Sequence, residues 1–115
     1  MKEKKKIIIV LIDKLNTCYE DLTHCNVKKA YGNLKDYISD INKVFMEFIV
    51  MIPKLEKLGV KIPSEVLIQQ LKNLLEAYEY EDSMLLADTL RYEIIDTLNL
   101  YVDISDELEK ENISL

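Results

Sequence analysis

One histidine, two cysteines and one arginine are the side chains through which this sequence would most readily do chemistry. His24 is the one group whose ordinary pKa lies near neutrality, so a general base or an imidazole metal ligand would have to be this residue. Glu20 precedes it by four residues. The carboxylate-bridged metal sites of helical bundles need Glu-x-x-His on two helices, and therefore two histidines. A zinc site drawn from Cys18, His24 and Cys25 fails differently, because adjacent residues on a helix diverge by about 100° and a fourth ligand is not evident. The two cysteines are seven residues apart. On one helix that is a rise of ~10 Å, beyond the ~7 Å reach of a disulfide. The expectation is no metal, no cofactor and no catalytic residue, with both cysteines as small reduced core residues.

Arg91 is the residue that breaks its own pattern. On an unbroken helical wheel it falls amid Met84, Ala87, Ile95, Leu98 and Val102, at the centre of an apolar face. A lone buried guanidinium is costly. Three arrangements resolve the cost: an ion pair with Asp88 or a glutamate on another helix, a side chain that snorkels past short Ala87, or a groove that a partner closes. Asp88, Arg91 and Tyr92 are therefore the candidate partner-binding residues.

The elements that must position these side chains are helices. Gly32 and Gly59 are the only glycines and Pro53 and Pro63 the only prolines among 115 residues. That leaves too few turn-formers for a many-stranded sandwich or barrel, and no glycine-rich phosphate loop can be written. Hydrophobic residues make up 49% and charged residues 31%, enough for a core and a solvated surface, so wholesale disorder is excluded.

Apolar residues recur at steps of three and four in four segments. The first is Ile8, Leu11, Leu15, Cys18, Leu22 and Cys25. Within it Ile7–Ile12 also reads as a buried strand, but no second β-branched run supplies a partner. The second runs from Val27 to Leu58, with Asn26 as N-cap and Gly59 as the left-handed stop, and Pro53 predicts a bend. Pro63-Ser64-Glu65 opens the third, and Asp82 caps a fourth that runs from Ser83 to about Leu108 with a possible reset at Ser105-Asp106-Glu107.

Three short connections between four amphipathic helices predict an all-α, antiparallel up-and-down four-helix bundle with a long second helix bent near Pro53. One domain over residues 1–115 is expected, with 112–115 frayed. Its core should include Leu15, Leu22, Leu34, Ile41, Phe48, Leu71, Leu74, Ala87, Ile94 and Leu98.

Charge is distributed unevenly. Residues 1–75 sum to +4 and residues 76–115 to −10, for a net −6. The acidic half repels phosphate, so no nucleic-acid partner is expected, while a basic partner would suit it. No apolar run approaches the ~20 residues of a membrane span, and no leader is evident, so a cytoplasmic protein without stable membrane insertion is expected. The isoleucines beside Lys2, Lys4, Lys5 and Lys6 continue the face of Leu15 and Leu22, which reads as core rather than as a lipid-binding surface.

The stretch from Asp82 to Ile94 resembles a motif of small helical bacterial proteins, Asp-x-x-Leu-Leu-Ala-Asp-x-Leu-x-Tyr-Glu-Leu. Asp82, Leu85, Leu86, Ala87, Asp88, Leu90, Tyr92 and Glu93 carry the match. Arg91 stands in a slot that is usually acidic, which favours an accessible position. The size and layout are also similar to the flagellin export chaperones, which implies a bundle that grips a partner's amphipathic helix. The expected function is a non-catalytic interaction or chaperone-like module, with the fourth helix as one wall of an apolar groove. A structural homo-oligomer is the alternative, and a small-molecule enzyme a distant third.

Overall fold

The computed structural model describes residues 2–111, and the fraying expected at 112–115 lies outside the described residues. The element order is α1 (Lys2–Thr23), α2 (Val27–Lys57), α3 (Ser64–Glu79), α4 (Ser83–Thr89), a π turn (Leu90–Ile94) and α5 (Ile95–Lys110), with α4 leading through the π turn into α5 without a loop. No strand occurs among the described residues, and Ile7–Ile12 is helical.

Cross-helix pairs fix the directions. Lys4 meets Glu47 and Lys14 lies over Tyr37, so α1 and α2 are antiparallel. Tyr31 packs on Tyr78 at 5.5 Å between ring centroids, which runs α3 antiparallel to α2. Gln70 bonds Thr97 and Asn73 bonds Glu93, reversing the chain again. Lys5 pairs with Asp106 and Arg91 lies over Tyr19, closing α5 and the π turn back onto α1. The result is an all-α, up-and-down bundle of 45 × 26 × 19 Å. Its long axis matches α2, whose 31 residues at ~1.5 Å each span about 46 Å.

One continuous core runs from Ile8 to Leu108. Leu15, Leu34, Ile41, Phe45, Phe48, Leu74, Leu90, Ile94 and Leu98 are essentially inaccessible, and Leu22 and Ala87 are also buried. Leu71, expected in the core, is half-buried at the α2–α3 edge. The α2 helix continues without interruption through Pro53, which is exposed, to Lys57. Proline has no N–H to donate, so one i→i−4 bond is missing there, on the side that faces water.

Three helix ends close in the same way. Cys25, Gly59 and Glu81 all take left-handed backbone, with φ of 68°, 88° and 54°. The next residue's N–H then reaches back five positions: Asn26 to Asp21, Val60 to Leu55 and Asp82 to Ala77. These are Schellman closures, which satisfy carbonyls the helix leaves open. Cys25 therefore lies beyond α1 and is exposed, which corrects its expected place on the core face; Cys18 is buried as expected. Asp82 caps α4 by accepting the Leu85 N–H at 3.1 Å. Asn26 sits at the start of α2 but makes no side-chain cap bond.

The fourth helical rod departs most from expectation. Instead of one α-helix with a reset near Ser105, it widens at Leu90–Ile94, where the Ile95 N–H donates to the Leu90 carbonyl five residues back. The geometric consequence is a change of phase. Thr89 and Leu98 would lie on opposite faces of an unbroken helix, ~180° apart. Both are buried. The wide turn absorbs one residue, which brings them to about 80° of each other and lets α4 and α5 both face the core.

Candidate functional site

That phase change decides where the candidate partner-binding residues lie. Arg91 is not at the centre of the buried face, and Met84, expected beside it, is 80% exposed. The wheel assumed constant pitch, and the π turn breaks it. Asp88, Arg91 and Tyr92 are all exposed. The Arg91 guanidinium lies over the Tyr19 ring of α1, 5.0 Å from its centroid. No Asp88–Arg91 ion pair occurs among the described residues. Arg91 is thus exposed, with an aromatic face beneath its guanidinium.

Glu93, the next residue of the same motif, is half-buried and belongs to a different set. It accepts the Asn73 amide N–H at 2.9 Å, and Asn73 in turn accepts from Gln69 at 2.9 Å. One helical turn on, the Thr97 hydroxyl donates to Gln70 at 2.5 Å. These bonds join α3 to the π turn and α5, so Glu93 is a packing residue of that seam.

The other groups considered for chemistry are dispersed. His24 is exposed just past α1, and its Nδ1 lies 2.8 Å from the Glu20 carbonyl oxygen. Burial, then the nearby Asp21 carboxylate, pushes the Cys18 thiol up to about 11, so it is an unreactive hydrophobe. No group of three or more His, Cys, Asp or Glu residues positioned for a metal ion occurs among the described residues. No helix among them is long and apolar enough to cross a membrane.

A concave surface lies elsewhere. A groove of about 580 Å³ runs between α1 and α2, floored by Ile8, Leu11 and Val44 and edged by Ile7 and Val10. Ile7 is 63% and Val10 50% exposed, which corrects the expectation that the N-terminal isoleucines all face the core. Six consecutive apolar residues sweep more than a full helical turn, so some of them must face out. Ile8, Leu11 and Ile12 point in; Ile7, Ile9 and Val10 do not. A smaller groove of about 390 Å³ separates α2 from α3 at Ile38 and Leu75. The fourth helical rod, expected as a wall, lines neither of these grooves; its α5 part instead walls a smaller concavity of about 330 Å³ with Leu58 and Val60, at Ile104 and Leu108. The signal for the α1–α2 groove was present in the sequence as the unbroken Ile7–Ile12 run, longer than one core stripe can use.

Fold and surface together define a small all-α bundle with polar seams and an apolar, lysine-edged groove. The chain matches the family described as a domain of unknown function, DUF8042, over residues 1–111, and it belongs to that family. No curated protein and no solved structure matches it.

Proposed function

We propose that this chain is a non-catalytic, chaperone-like interaction module that receives a partner's helix in the groove between α1 and α2. The observation that carries this reading is the exposure of Ile7 and Val10 along a concavity of about 580 Å³. Apolar side chains edging a groove between two helices suit the ridge of a third. Asp88, Arg91 and Tyr92 remain a second contact surface, exposed as a partner requires, with the Arg91 guanidinium held over the Tyr19 ring.

The test is light scattering at micromolar concentration combined with binding of a hydrophobic dye. A monomer whose dye signal is lost in Val10→Asp, yet kept in Met84→Asp, supports the groove. A dye signal indifferent to Val10→Asp overturns it. A homo-oligomer is the second reading, favoured by the acidic outer surface of α4 and α5, where Asp88, Asp96 and Asp103 are exposed with Tyr92 and Leu100. It predicts an assembly that Val10→Asp dissociates.

A further inference from the structure

We infer that the partner helix taken by the α1–α2 groove is acidic and amphipathic, a deduction that rests on the reading just given and adds the chemistry of the occupant. Four lysines, Lys4, Lys6, Lys14 and Lys43, line the groove against two carboxylates, Asp40 and Glu47. Lys4 is matched by Glu47 at 3.4 Å. Lys14 lies over the Tyr37 ring, 5.4 Å from its centroid, an uncharged partner. Lys6 and Lys43 have no ion pair among the described residues, and both are exposed. The groove therefore presents an apolar floor with excess positive charge along its edges, although the whole chain carries −6. A helix with a leucine-type stripe and glutamates beside it satisfies both features at once.

The contact length fits as well. From Lys4 to Lys14, α1 rises about 15 Å, or roughly three turns of a facing helix. The concavity and its two carboxylates count against a flat anionic membrane, which would meet Asp40 and Glu47 as like charges. The acidic α4–α5 surface of a second copy has a suitable sign. It is nevertheless a different surface from the groove, so that contact is head-to-tail and need not close into a dimer.

The experiment uses the full chain and two fluorescent synthetic helices of about 15 residues with one leucine stripe at i, i+3 and i+4 spacing. The polar positions are glutamate in one and lysine in the other, and anisotropy is measured at low and moderate salt. The glutamate helix is expected to bind at least about tenfold more tightly (1.4 kcal/mol). Its affinity should fall with salt, and the preference should reverse in Lys6→Glu/Lys43→Glu, whose exposed positions spare the core. Equal binding of both helices, abolished by Val10→Asp, keeps the groove and overturns its charge selectivity. Binding of neither helix overturns the groove itself. Tighter association with anionic vesicles than with the glutamate helix, or self-assembly lost in Lys43→Glu, overturns the inference in favour of a membrane or a second copy.

Discussion

The guanidinium of Arg91 stacks over the ring of Tyr19, joining the π turn to the last third of α1 at 5.0 Å. The pair is exposed on the arginine side, so its contribution belongs to the cation–π class at solvent-accessible sites. Arg91→Ala is expected to cost about 0.5–1 kcal/mol, and a double-mutant cycle with Tyr19→Leu should recover most of it as coupling. Urea denaturation measures both. A loss of 3 kcal/mol or more, about what breaking a buried ion pair costs, would contradict this geometry.

The π turn gives a prediction about deletions. Because the wide turn holds one residue more than an α-helix needs, removing exposed Tyr92 should leave α4 and α5 in phase as a continuous α-helix. The expected change is about 1 kcal/mol or less, at most roughly 4 °C in Tm. Deleting Asn99, exposed within α5, instead rotates all that follows by about 100° and turns Tyr101 and Leu108 out of the core. That variant should lose the cooperative thermal transition in circular dichroism.

Helix ends supply a third set. Asp82→Ala removes the acceptor of the Leu85 N–H and should cost about 1 kcal/mol. Cys25→Gly and Glu81→Gly replace left-handed side-chain-bearing residues by the one that adopts this backbone freely, and each should stabilise by about 0.5–1 kcal/mol. Thermal melts that rank Cys25→Gly below the parent chain would contradict the αL assignment.

Thiol chemistry follows from burial. Cys25 is exposed and Cys18 is buried, so a thiol reagent should label Cys25 in the native chain and reach Cys18 only on unfolding. Mass spectrometry of the labelled protein resolves the two.

Alkaline pH should weaken the fold. Burial first, then nearby carboxylates, raises Cys18 to about 11 and moves Tyr31 and Tyr101 upward as well. Each group binds its proton more tightly in the folded chain. Their contribution is intact below the ordinary thiol and phenol values and is lost as pH rises through the raised ones. Tm should therefore fall between about pH 8 and pH 11, and less steeply in Cys18→Ala than in the parent.

Helical periodicity is a local property, and so the sequence determined the four segments, the alternation that buries Leu15, Leu34, Ile41 and Phe48, the Asp82 cap and the Gly59 stop. Tertiary packing decided what depends on neighbours. Non-glycine residues give no advance sign of left-handed backbone, so the closures at Cys25 and Glu81 emerged only where α2 and α4 had to turn back on the bundle. A wheel assumes constant pitch, whereas burying both Thr89 and Leu98 required one wide turn, which carried Arg91 out to the Tyr19 ring. The Ile7–Ile12 run marked an apolar helix, but only the position of α2 beside it left Ile7 and Val10 at the edge of a groove, because a helix shows a neighbour one stripe and keeps the rest for whatever arrives next.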